Sequence, residues 1–402
     1  MKVVHGINIV LTILLVLVVY TGFFHPEQMR SFVPVPRSES ASVTVDEAAA
    51  GLHSNKQVKL QKKQTPIQKK TATFAAVGDV LIHKRVYSTA VDNEGKYDFS
   101  AAFQEVLPIL EGPDITMANS ESIIGGAELG LSTYPAFNSP HEVGDSMKES
   151  GIDIVSMANN HTLDKGEAGV RSAIRYWDSI GVKHSGAALS EGDQNTLPVI
   201  ERNGISFAFA SFTYATNGYR PPAGKGYLVN YLDKTAVKQA IEKAKKMADV
   251  AVVSMHFGNE YERLPNEYQQ EWVQFAANAG ADIIIGHHPH VLQPPAWITG
   301  KNGNKAFAVY SLGNFFSGQD GLYKQIGGMI QLEVEKMVRP DGTTHLTLQH
   351  PQFTPTYVER GLDQKYRVLP LGSVTEEQLP GVPAIYKEIQ QHMSRWMTDL
   401  TF

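Results

Sequence analysis

The sequence predicts an α/β fold behind an N-terminal transmembrane helix, and three observations point there. From Thr73 onward, short apolar runs alternate with amphipathic helical stripes. Most of those runs end in a cluster of polar residues, the arrangement expected where strands open onto a site. An apolar segment at residues 7–24 is long enough to cross a bilayer as a helix, which takes ~20 residues.

The apolar segment is interrupted only by Asn8, Thr12, Thr21 and Gly22, and Lys2 precedes it. Residues 20–24 are bulky where a signal peptidase needs small side chains, so an uncleaved anchor is expected, with a cleaved signal peptide as the alternative. The basic N-terminus orients it N-inside, C-outside. This predicts a single-pass cell-membrane protein whose body lies outside the cytoplasm. Residues 25–72 are expected to form a flexible stalk. They lack sustained periodicity and carry six lysines without an acid between Lys56 and Lys70, a solvated spacer near anionic lipid or cell wall.

Composition narrows the function. Of 402 residues, 42% are hydrophobic, enough for one large core or two smaller ones. Nine of the 36 basic and four of the 41 acidic residues fall within 1–70, leaving residues 71–402 at a net charge of −10. An acidic body repels nucleic acid and other polyanions, so an anionic substrate must be received by metal ions or a local patch. The absence of cysteine excludes disulfides, thiolate metal sites, a Cys nucleophile and a lipidated Cys anchor. Fourteen histidines remain as soft ligands and proton-transfer groups.

Within the body, residues 74–77, 115–118, 152–157, 250–255 and 283–285 read as buried strands. Val237, Ala240, Ile241, Ala244 and Met247 share one helical face, as do Tyr268, Trp272, Phe275, Ala276 and Ala279. Hairpins are expected at 196–212, turning at Asn203-Gly204, and at 296–312, turning through 300–304. Residues 329–338 and 344–350 read as further strands, and 381–398 as a terminal helix. The body is expected to span 73–355, with a C-terminal extension at 356–402.

The polar clusters carry the chemistry. Gly78-Asp79 puts a carboxylate on a tight turn, and His83 follows as a ligand or substrate contact. Asn119 and Glu121 alternate, so an extended backbone points both the same way, and Glu121 could bridge two metals. In Asn159-Asn160-His161, followed by Asp164, an amide oxygen can ligate metal and the next His can protonate a leaving group. His256 ends a buried strand, Gly258 permits close approach, and Glu260 follows. Gly286-His287-His288-Pro289-His290 is the strongest local signal. His288 and His290, two apart in extended backbone, suit two ligands on one side. Residues 310–315 deliver Asn314 toward the same crevice.

Taken in order, Gly78-Asp79, Asn119-x-Glu121, Asn159-Asn160-His161-x-x-Asp164, His256-x-Gly258-x-Glu260, Gly286-His287-His288-Pro289-His290 and Ser311-Leu312-Gly313-Asn314 resemble the CapA/PgsA family of poly-γ-glutamate capsule synthesis proteins. The resemblance covers about residues 73–320. It implies a calcineurin-like metallophosphoesterase fold, a β-sandwich flanked by helices. It further implies that Asp79, Glu121, Asn160, His256, His288 and His290 hold two divalent metals of the Mn, Fe or Zn type, with Glu121 bridging. His161, with Asp164, would be the general acid. His83, Asn119, Glu260, His287 and Asn314 are then expected as substrate contacts. Leu81 stands where phosphoesterases carry a ligand His, a place His83 could take.

The implied function is a metal-dependent step in poly-γ-glutamate synthesis or export, beside other synthase subunits and an anionic polymer or small anionic substrate. A non-catalytic membrane scaffold and a general extracellular phosphoesterase are the alternatives.

Overall fold

The computed structural model describes residues 67–402. The expected anchor and nearly all of the expected stalk lie outside the described residues. Among the described residues no helix is long and apolar enough to cross a membrane.

Strands β1 (Gln68–Leu81), β2 (Ile115–Ser120), β3 (Ile154–Ser156) and β4 (Lys183–Ser185) run parallel in one sheet. A second sheet follows from β5 (Val199–Arg202), β6 (Ile205–Thr213), β7 (Val250–His256), β8 (Ile283–His287), β9 (Leu292–Thr299) and β10 (Lys305–Leu312). Its order is β5-β6-β7-β8-β10-β9, with a parallel centre and antiparallel edges. The chain then returns to the first sheet. There β11 (Asn314–Ser317) pairs with the end of β1, while β12 (Ile326–Val338), β13 (Thr344–Arg360) and β14 (Tyr366–Pro370) add antiparallel strands on its far side.

The two sheets pack face to face because their strands alternate. In β1, Phe74 and Ala76 point inward against Phe207, Phe209, Val252 and Ile285. Phe74 lies 6.2 Å, centroid to centroid, from both Phe207 and Phe209. Ala75 and Val77 point outward instead, toward Val143, Met147, Val170 and Trp177 of helices α1 (Glu142–Glu149) and α2 (Gly166–Ile180). On the opposite face, α3 (Lys234–Met247) and α4 (Glu267–Ala279) lay Val237, Ile241, Trp272 and Val273 on Val253, Met255 and Ile284. The result is a helix–sheet–sheet–helix sandwich. A capping box between Asn266 and Gln269 starts α4, and Gly280 at φ 105° stops it.

An aspartate precedes four of the parallel strands and ties each to its neighbour. Asp114, Asp153, Asp249 and Asp282 accept hydrogen bonds from the backbone N–H groups of Thr73, Thr116, Ser206 and Ala251 at 2.7–2.9 Å. These bonds fix register at the end of the sheets remote from the polar clusters.

Two expected boundaries move. The first strand starts at Gln68, inside the segment read as stalk, because residues Gln68 to Val77 pair with Val338 to Met329 and Ala72 is buried. The break expected at 355/356 falls inside β13. Beyond it, Tyr357, Leu369 and Leu371, with Val382, Ile389 and Met393 of α5 (Val382–Met393), belong to the core between the sheets. The C-terminal stretch is therefore part of the body.

Candidate metal centre

The carboxyl ends of the central strands from both sheets meet, and each brings one polar cluster. β1 carries Asp79, β2 Asn119 with Glu121 just beyond it, and the turn after β3 carries Asn159, Asn160 and His161. From the second sheet, β7 ends in His256 and β8 in His287, followed by the turn bearing His288 and His290. Close backbone contact makes this possible. A Cβ on Gly78 would collide with the Gly313 carbonyl oxygen, and one on Gly286 with that of Tyr310.

Two sets of ligand atoms, each within 4.8 Å of one another, share a carboxylate: Glu121 with His288 and His290, and Asp79 with Glu121 and His256. Asn160 joins them, its Oδ1 3.0 Å from His256 Nε2. All of these side chains are buried. Both Glu121 oxygens and His288 Nδ1 are enclosed without any hydrogen-bond partner. His256 Nε2 and His290 Nε2 approach Glu121 Oε1 at 3.5 and 3.6 Å without bonding it. A buried carboxylate with no donor is costly. Burial, then the charge of Asp79 and that of Glu260, push its carboxyl well above the usual range. Burial and the neighbouring His288 depress His256 well below an ordinary imidazole, and burial holds His288 down to about 3. Neutral imidazoles around an unsatisfied carboxylate fit divalent cations.

Asp79 is different. Its Oδ1 accepts from Asn119 Nδ2 at 2.9 Å and faces His287 Nδ1 at 3.2 Å, while Oδ2 faces His290 Nδ1 at 3.1 Å. Burial works against the charge of Asp79, but the imidazoles of His287 and His290 beside it outweigh burial and hold its carboxyl well below the usual range. His290 Nδ1 also reaches Asn314 Oδ1 at 3.1 Å, leaving Nε2 toward Glu121.

Beside the centre lies a cavity of about 440 Å³ lined in part by His83, Asn160, His161, Glu260 and His290. His161 Nδ1 lies 2.6 Å from Asp164 Oδ2, which also accepts from the Phe137 N–H at 2.6 Å. The Phe137 ring packs edge-on against His161, centroids 4.7 Å apart.

Several expected placements change. Asn119, His287 and Asn314, expected along the substrate path, are fully enclosed behind the ligands and contact Asp79 or His290 instead. His83 and Glu260 do line the cavity, but His83 stays out of both ligand sets, so it does not replace the ligand missing at Leu81. Its Nδ1 lies 3.1 Å from the Leu81 carbonyl and burial lowers the ring to about 4. His288 and His290 are not in extended backbone. They sit at φ 101° and 57°, in a left-handed turn that aims both rings at Glu121. Gly258, at φ 98°, makes room for the Gln269 carboxamide and not for substrate.

A family model described as "Bacterial capsule synthesis protein PGA_cap" matches residues 73–319. The chain belongs to this family. The capsule-synthesis match spans every cluster from Asp79 to Asn314. Over 276 residues the chain is 29% identical to the PGA biosynthesis protein CapA of Bacillus subtilis (strain 168), covering 65% of this chain and 67% of that protein. It is 28% identical over 311 residues to the capsule biosynthesis protein CapA of Bacillus anthracis, covering 74% and 72%. Among solved structures, the NAD nucleotidase of Haemophilus influenzae superposes with a TM-score of 0.45 at 12% identity, over 83% of this chain and 64% of that one. The 5′-nucleotidase precursor of Thermus thermophilus gives 0.41 at 13%, over 81% and 58%.

Beyond the motifs of the capsule-synthesis family, the cavity uses residues that carry no sequence signal. Tyr134, Asn217, Tyr219, Tyr261 and Gln319 line it from irregular segments without periodicity. The Tyr214 ring lies against that of His288, tilted by 41°, with 4.8 Å between centroids. Only the unusual density of tyrosine near the His and Asn motifs could have marked them.

Proposed function

We propose that the chain is a membrane-anchored, extracytoplasmic metal-dependent enzyme of hydrolase type that serves poly-γ-glutamate capsule synthesis or export, alongside synthase or export subunits. The observation that carries this reading is Glu121, a buried carboxylate with both oxygens unpartnered, shared by two ligand sets. An inert scaffold has no use for so costly a group.

Asp79, Glu121, Asn160, His256, His288 and His290 would hold two divalent ions of the Mn, Fe or Zn type, in a calcineurin-like arrangement. When bound, such ions hold an anionic oxygen and make water a better nucleophile. The chain does the rest. Asn314 and Asp79 grip His290 Nδ1 and so set the direction of its Nε2. Asp164 grips His161 Nδ1, and the Phe137 ring fixes the imidazole plane, so Nε2 is the atom that passes a proton to the leaving group. Leu81 and Phe137 give the cavity apolar walls that limit water.

The test separates ligand from proton donor. His288→Ala should lose the metal of its own ligand set, about half of the total, together with polymer output in cells. His161→Ala should keep its metal while output falls, by the ~10²–10⁴-fold typical of a lost general acid. Normal output from both variants would establish a non-catalytic scaffold instead.

A further inference from the structure

The cavity wall narrows what the centre accepts, given the two-metal reading above. Among the described residues that line it, Glu260 is the only carboxylate outside the histidine and amide wall, and there is no lysine or arginine. Glu260 is exposed at the opening. Three tyrosines share that rim, Tyr134, Tyr219 and Tyr261, which are 77%, 47% and 48% exposed. The Tyr261 ring already meets one cation, for Lys324 Nζ lies 4.8 Å from its centroid, outside the lining. Tyr261 and Asn217 are held in left-handed backbone, φ 67° and 48°, so the wall is shaped against conformational preference.

The polarity therefore runs from cationic at the metal floor to anionic and aromatic at the mouth. A substrate carrying only negative charges would set its second charge against Glu260. One carrying an ammonium beside its anionic group would satisfy both ends, since a carboxylate with neutral aromatic faces is the combination that holds an ammonium. We propose that the centre takes an ammonium-bearing anion, its anionic group at the metal ions and its primary ammonium between Glu260 and the rim tyrosines. The free amino end of a γ-linked acidic peptide has this chemistry, whereas its interior, uniformly anionic, does not.

Calorimetric titration of the Mn²⁺-loaded full-length protein with O-phosphoethanolamine and with ethyl phosphate isolates the ammonium, because the two probes differ only there. The expected result is about tenfold tighter binding of phosphoethanolamine, the sum of a weak exposed ion pair and a cation–π contact. Glu260→Gln should cut the ratio of the two affinities to about threefold, the share left to the cation–π contact, and Glu260→Lys should bring it to one or below. Metal content and melting temperature are measured alongside. Equal affinities in the wild type, a ratio unchanged by Glu260→Gln, or binding of neither probe would overturn the assignment. His288→Ala should weaken both probes; if it keeps its metal and both affinities, the probes bind elsewhere and the assignment falls. If the preference holds in a metal-loaded protein that performs no hydrolysis, the catalytic reading fails while the ammonium site stands.

Discussion

Replacing Glu121 by Gln keeps the side-chain volume and removes the one charge common to both ligand sets. A site filled at 100 times its dissociation constant stabilises the folded state by about 2.7 kcal/mol, so two such sites contribute about 5.4 kcal/mol. Unfolding entropy of about 2.1 cal/mol/K per residue, taken over residues 67–402, amounts to about 0.7 kcal/mol/K, which converts that stabilisation into a rise in Tm of about 8 °C. Glu121→Gln should lose nearly all of this rise, because each set then lacks its carboxylate. His288→Ala takes a ligand from one set only and should lose about half. Calorimetric melts with and without Mn²⁺, paired with metal analysis of the same samples, measure both. In the metal-free state Glu121→Gln should melt no lower than wild type, since burial and the Asp79 charge disfavour a carboxylate there and an amide carries no such charge. A Glu121→Gln protein that keeps one metal per chain and half the shift would refute the shared-carboxylate geometry.

Phe74→Ala empties the middle of the sandwich, where the ring lies between Phe207 and Phe209, and should cost about 3–5 kcal/mol by denaturant unfolding. Truncation to Thr73 removes the paired residues Gln68 to Ala72 and should lower the melting temperature relative to a chain beginning at Ile67, whereas a flexible stalk would make no difference. Acid sensitivity of the metal-free protein gives a further check. The folded His288 imidazole is depressed to about 3 while the unfolded one titrates near 6.5, so the unfolded state binds more protons between those values and stability falls as pH drops through that window. His288→Gln should flatten part of this slope, His256 retaining its own share; an unchanged slope would contradict the burial of His288 as the cause.

Local chemistry settled much of this protein in advance. The unbroken apolar run at residues 74–77 marked a strand buried on both faces, and Asn203-Gly204 marked a hairpin, because an all-apolar run and a left-handed turn are properties of near neighbours. The same locality made the polar clusters legible, since Asn159-Asn160-His161 and the three histidines at the end of β8 and in the turn after it suit no ordinary strand or helix. Where those clusters meet is a different matter. Asp79 and His290 are 211 residues apart, and only the stacking of two sheets with their carboxyl ends aligned brings them to 3.1 Å. Tertiary packing likewise sent Asn119, His287 and Asn314 behind the ligands, because the strand ends carrying them are covered by the facing sheet. It moved the start of the body to Gln68, where polar residues form a strand only because β12 supplies hydrogen-bond partners. And it chose the rim, for Tyr134, Tyr219 and Tyr261 come from loops whose course no periodicity encodes, so that the wall deciding what reaches Glu121 exists only once the chain has folded.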